Sequence, residues 1–280
     1  MSRDSPTCTG ITTSLLTQFS LFEQYAGAAY CKDNNDDSTG AITCAGGNCP
    51  SVQQAGAKSI LEFQNLGDTD ATGFVAVDDT NKLIVLSYRG SASLDNWVGN
   101  FNIELVPFSA CSGCSVHAGF LSGWNDSRDQ VKAALAQARA KNPNYSIIST
   151  GHSLGAAIAT LAAAELRTAG YNVALYTYGS PMVGNTAFAN FVTGQSGGNY
   201  RVTHAFDAVP KLPGYLLDYR HVSPEYWITS ASGQSVDIGE IQMSSGIFNL
   251  WGNQGTLIST ISDHLWYFNS ISACVSGFEL

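Results

Sequence analysis

The chain has 280 residues, of which 44% are hydrophobic and only 12% charged, with a formal net charge of −9 at pH 7. That balance supplies a sizeable apolar core and excludes nucleic acid or a strongly anionic surface as an electrostatic partner. No apolar run reaches the length of a membrane-spanning helix, and no apolar leader follows Met1–Pro6, so the sequence reads as a mature secreted chain.

Residues 1–12 read as a disordered lead. Over 13–30, Leu15, Phe19, Phe22, Ala26 and Ala29 recur at helical spacing, which predicts an amphipathic helix. Residues 31–54 read as loop. Gly73–Val77 and Leu83–Tyr88 are strand runs joined by Asp78-Asp79-Thr80-Asn81, a hairpin signal. Over 93–100, Ser93 can cap one or two turns that put Leu94, Trp97 and Val98 on one face. A short surface helix and a mobile lid over an apolar site both fit that pattern.

Residues 101–118 read as extended, and 126–142 as a helix stopped by Asn142-Pro143. Val173–Tyr178 and Tyr200–Phe206 read as strands, with a helix over 184–192 between them. A strand pair is expected around 226–240. The alternation of strand and helix through 120–210 predicts an α/β fold with a mostly parallel central sheet. No repeat or linker divides the chain, so one domain over 1–280 is expected.

Seven cysteines in a lightly charged chain point to disulfides rather than zinc, and three bridges would leave Cys8 over. No metal or cofactor is expected. Two N-glycosylation sequons occur. Asn125-Asp126-Ser127 reads as a loop site, while Asn144-Tyr145-Ser146 runs into a predicted strand.

The most informative stretch is Tyr145–Gly170. An apolar strand run leads into Gly151-His152-Ser153-Leu154-Gly155, and an Ala-rich helical pattern follows. Strand, sharp turn and helix are the context that a nucleophile elbow requires, with Ser153 at the tip. A serine hydroxyl needs a general base and the base an orienting acid, in the chain order Ser, acid, His. His264 meets that order and is anchored by the apolar run Leu265–Phe268; His221 is the runner-up. Asp207, directly after a predicted strand, is the favoured acid, with Asp218, Glu225, Asp237 and Asp263 as alternatives. The backbone N–H of Leu154 and the N–H and hydroxyl of Ser91 are the expected oxyanion donors.

Several pieces together resemble the secreted class 3 lipases of filamentous fungi, an α/β-hydrolase family that includes feruloyl esterases. They are Arg89-Gly90-Ser91, Asp95-Asn96-Trp97, Val116–Phe120, Gly151–Gly155, Asp207–Pro210, Ser223–Trp227 and His264–Phe268. The resemblance covers roughly Gln18 to Cys274. It implies an α/β-hydrolase fold, the triad Ser153, Asp207 and His264, and the oxyanion donors Ser91 and Leu154. It also implies bridges Cys31–Cys274, Cys44–Cys49 and Cys111–Cys114, and a lid around Leu94, Trp97 and Val98. Ala156 and Met182 depart from the Gly and Arg that many lipases of the family carry there.

The expected function is a secreted triacylglycerol lipase acting on lipid esters at an oil–water interface, with only peripheral lipid contact. Rivals are a feruloyl esterase or a phospholipase A1 of the same family, and a non-catalytic lipid-binding protein.

Overall fold

The structure, a computed structural model, describes residues 10–93, 99 and 102–275. Its frame is an eight-stranded sheet. The strands are β1 (Lys58–Leu66), β2 (Ala71–Asp78), β3 (Leu83–Tyr88), β6 (Ser146–His152), β7 (Val173–Tyr178), β9 (Asn199–His204), β11 (Glu225–Ile228) and β12 (Ile241–Ser244), side by side in that order. β1 to β3 run antiparallel, β3 to β11 parallel, and β12 returns antiparallel. This is the predicted mostly parallel sheet, edged by antiparallel strands. A second, four-stranded sheet joins β4 (Leu105–Pro107), β5 (Ser115–His117), β8 (Gly184–Asn185) and β10 (Tyr219–Arg220).

Side chains alternate faces along a strand, and the core divides accordingly. Val75, Ile84, Leu86 and Ile147 join the cluster on one face, covered by α3 (Ala118–Lys141) and α4 (Leu154–Thr168). Phe74, Val85, Ile148 and Tyr176 join the cluster on the other, covered by α1 (Thr13–Ala28) and its neighbour α2 (Pro50–Ala55). α5 (Thr186–Gly194) lies before β9.

The predicted hairpin forms as β2–β3. Asp78 organises its turn, accepting from the Asn81 backbone N–H at 2.8 Å and from the Tyr25 hydroxyl at 2.8 Å. Three readings are corrected. Strand β1 was read as no element: its pairing is interrupted between Ser59 and Leu61 and between Phe63 and Leu66, and those irregularities break the period-two signal. Helix α3 starts at Ala118 rather than 126. Gly119 and Gly123 lie in its first turns, where a Cβ at Gly123 would stand 2.8 Å from Ile158 Cδ1 and 2.9 Å from Thr69 Oγ1, so that glycine suits the close packing there. Asn125 therefore lies inside a helix, not a loop, whereas Asn144 lies exposed in the turn before β6.

Adjacent parallel strands end level, with Tyr88 beside Gly151 and His152 beside Tyr178. The segments after β3, β6, β7 and β9 thus gather at the carboxyl edge of the sheet, where open α/β sheets place their sites.

Candidate active site

Ser153 caps α4 at the end of β6 with φ +58° and ψ −128°. A non-glycine residue in that region is strained, and the surroundings hold it there. Its N–H donates to the Tyr178 carbonyl at 2.9 Å. At Gly155 a Cβ would fall 2.2 Å from the Tyr88 carbonyl oxygen, so only glycine lets the first turn of α4 press onto β3. Ser153 is 1% exposed, and its Oγ has no hydrogen-bond partner among the described residues.

His264 stands in a short 3-10 turn, Ser262–His264, and is fully buried. Its Nδ1 lies 2.9 and 2.8 Å from the two carboxylate oxygens of Asp207. Facing an acceptor-only carboxylate, Nδ1 carries a proton, and in the neutral ring Nε2 is then the nitrogen with the lone pair. That Nε2 has no partner among the described residues either. The imidazole lies against Gly179, where a Cβ would be 2.8 Å from Nδ1 and from Cε1. Ser153 and the His264 ring therefore share the Tyr178–Gly179 segment as a common wall.

Asp207 follows β9 through a turn. It also accepts from the Tyr267 hydroxyl at 2.6 Å and from the Val209 N–H at 2.9 Å. A short parallel bridge joins Asp207 to Thr260, with Ala208 N–H donating to the Thr260 carbonyl and Thr260 N–H to the Phe206 carbonyl. Asp207 and His264 are thus carried on two segments stitched to each other. Burial, and next the Asp207 charge, raise the Tyr267 phenol well above its ordinary range, so it stays a donor.

The other candidates are engaged elsewhere. His221 Nε2 donates to the Pro210 carbonyl at 2.7 Å. Burial, with Arg201 second, holds His221 well below the usual imidazole range. Asp218 accepts from Thr186, Asp237 caps a 3-10 turn, and Asp263 accepts from Phe206 N–H and the Ser232 hydroxyl. Glu225 pairs with Arg201 at 3.5 Å and accepts from Thr203 at 2.7 Å.

Ser91 ends the segment after β3, its hydroxyl bonded to the Ser93 backbone at 3.3 Å. Leu154 opens α4, where the first N–H groups lack intrahelical acceptors. Both line a cavity of about 450 Å³ that also meets Asp70, Arg89 and Phe120. Leu94, Trp97 and Val98 lie outside the described residues, as does Cys8. The cysteines pair as Cys31–Cys274, Cys44–Cys49 and Cys111–Cys114, with Cα atoms 4.9, 5.8 and 5.6 Å apart.

Two partners escaped the sequence reading. One is Tyr267, seen there only as part of an anchoring run. The other is Tyr30, whose buried hydroxyl donates to His152 Nδ1 at 2.7 Å. His152 Nε2–H in turn donates to the His264 carbonyl at 2.8 Å, and the Gly90 backbone also hydrogen-bonds the Tyr30 oxygen. Burial, and next the neighbouring His264, hold His152 well below the usual imidazole range, so it serves as a neutral link. No sequence signal joins residues 30, 152 and 264.

A mostly parallel sheet whose carboxyl edge carries a strand–turn–helix serine makes the fold that of the α/β-hydrolases. Residues 85–216 match the family model described as Lipase (class 3), and residues 3–59 match that of the Lipase 3 N-terminal region. The chain is 43% identical over 268 residues to the secreted mono- and diacylglycerol lipase A of Penicillium cyclopium, covering 94% of this chain and 88% of that protein. It superposes with a TM-score of 0.90 on the crystal structure of mono- and diacylglycerol lipase from Aspergillus oryzae, at 41% identity over 94% of this chain and 100% of the other. With a TM-score of 0.84 and 28% identity, covering 94% and 98%, it also matches a triacylglycerol lipase described as having a serine protease triad as its catalytic centre. The chain belongs to the class 3 lipase family, and so to the serine ester hydrolases.

Proposed function

We propose that this chain is a secreted lipase that hydrolyses acylglycerols at a lipid–water interface from a single catalytic domain, with Ser153 as nucleophile, His264 as base and Asp207 as its orienting acid. The observation that carries the assignment is the buried contact between His264 Nδ1 and Asp207, which leaves the imidazole's other nitrogen without a hydrogen-bond partner among the described residues. His264 Nε2 takes the proton of Ser153 Oγ as the oxygen attacks the ester carbonyl. The N–H groups of Leu154 and Ser91 stabilise the oxyanion. The imidazolium returns its proton to the departing alcohol, and water, deprotonated by the same nitrogen, releases the fatty acid.

The names of its relatives support mono- and diacylglycerols as substrates ahead of the triacylglycerols expected from sequence, and support an extracellular location. Among the described residues no helix is long and apolar enough to cross a membrane, which fits peripheral contact. The burial of Ser153 and His264 supports a cover that moves before substrate enters. Emulsions of monoolein, diolein and triolein, assayed beside methyl ferulate, test the reading. Release of oleate, lost by about 10⁴-fold or more in Ser153→Ala, is expected; turnover of the ferulate alone would refute it.

A further inference from the structure

Ten large apolar side chains are exposed among the described residues, and all but Ile60 and Ile103 lie between residues 206 and 258. Six of these, Leu216, Phe248, Leu250, Trp251, Leu257 and Ile258, are more than half exposed. Scattered apolar residues on a surface need no explanation, but a concentration of them marks a contact site.

These side chains sit on loops that are pinned. The Tyr215 hydroxyl joins the 214–217 turn to the next loop, donating to the Asn249 carbonyl and accepting from its N–H, both at 3.2 Å. The Tyr215 ring packs 4.5 Å from that of Phe248, and the Arg220 guanidinium lies over both rings. The Lys211 ammonium binds the Thr256 carbonyl at 2.9 Å, the Thr256 hydroxyl at 2.7 Å and the Ser259 hydroxyl at 3.0 Å. Leu257 and Ile258 are thereby fastened beside the segment that leads to Leu216. The hydrogen bonds hold the backbone, and the greasy side chains are what remains outside.

The two loops themselves carry no charged side chain, although Arg220 and Lys211 pack beside them. Residues 241–262 contain no Asp, Glu, Lys, Arg or His, nor do residues 212–217, although the whole chain carries −9. The later loop also runs into the site: Thr260, bridged to Asp207, lies two residues beyond Ile258.

We propose that the 214–217 and 247–258 loops form a fixed lipid-docking platform, separate from any moving lid, whose partner is an uncharged acylglycerol surface. The inference rests on the proposed action at an interface. The platform supplies apolar contact area on loops that lead into the Asp207–Thr260 bridge, and the acidic remainder of the protein disfavours anionic surfaces.

Leu216 and Leu257 are fully exposed, so Leu216→Ser with Leu257→Ser leaves the fold intact. Adsorption of wild type and double variant is measured on diolein droplets, and hydrolysis of a monomeric short-chain ester is measured in solution. The expected result is adsorption lowered at least about tenfold, with the soluble ester turned over at the wild-type rate. Equal adsorption of variant and wild type would overturn the platform while leaving the lipase reading standing. A wild type that neither adsorbs to nor hydrolyses the droplets would overturn the interfacial reading itself, and the platform with it. Sedimentation gives the remaining outcome: a wild-type dimer, split by the two substitutions without loss of adsorption, would assign the patch to self-association instead.

Discussion

Replacing Tyr30 by Phe removes one oxygen that His152 and the Gly90 backbone share. The phenol donates to His152 Nδ1 at 2.7 Å and is hydrogen-bonded by the Gly90 backbone, and it is 3% exposed. His152 cannot compensate by changing tautomer, because its Nε2 proton is already committed to the His264 carbonyl. The substitution therefore leaves a buried acceptor and a buried donor unmatched. Each such group costs about 1–3 kcal/mol, offset in part by the more apolar ring, so a net loss of about 2–4 kcal/mol is expected. Unfolding entropy of about 2.1 cal/mol/K per residue converts this to a Tm lowered by roughly 3–7 °C for a chain of 280 residues. Gly90 precedes the proposed oxyanion residue Ser91, and His152 steadies the backbone of His264. On a soluble ester, kcat should fall about tenfold with KM little changed, since alignment in the transition state is what loosens. Calorimetry and steady-state kinetics on the same preparation test both halves. A Tm within about 1 °C of wild type would refute the bonding argument. A lowered Tm with undiminished kcat would confine Tyr30 to stability.

Two more perturbations follow from the same geometry. Asp207→Asn would present an amide to His264 Nδ1, favour the wrong imidazole tautomer and lower kcat by about 10⁴-fold with the fold retained, which soluble-ester kinetics and circular dichroism together would check. The pH dependence of stability follows from buried groups. The depressed His152 and His221 contribute stability that is complete above about pH 6.5 and lost as pH falls, because the unfolded chain takes up protons the fold refuses. Each contributes a slope of up to about 1.4 kcal/mol per pH unit. Burial raises Glu23 well above the usual carboxyl range, and its contribution is lost as pH rises from about 4.3 towards its folded-state value. Denaturation between pH 5 and about 6.5 should therefore show stability rising with pH, and Glu23→Gln should steepen the rise by up to about 1.4 kcal/mol per unit. A variant whose advantage is constant with pH would contradict this.

The elbow was legible in sequence because close approach of a helix to a strand leaves so few residue choices: glycine at 155 is required by contact with Tyr88 itself. The meeting of Asp207 with His264 was legible from chain order and from where strands must end. What stayed hidden was held by contacts between distant residues. Tyr30 and His152 are 122 positions apart, and Tyr267 meets Asp207 across 60. Strand β1 was lost to its two irregularities, and the start of α3 to a glycine that serves helix packing rather than helix breaking. The 211–262 region showed little periodicity because side-chain hydrogen bonds, such as those of Lys211 and Tyr215, shape its loops in place of regular ladders.

The Cys31–Cys274 bridge closes 243 residues of sequence. One of its sulfurs belongs to the residue after Tyr30, and the other lies ten positions beyond His264. The bridge thus closes beside two attachments to His152: the Tyr30 phenol bonds its Nδ1, and the His264 carbonyl accepts from its Nε2. Reducing that single bond is expected to loosen both attachments at once, so ester turnover should fall before the sheet unfolds, which activity and circular dichroism followed together in reductant would check.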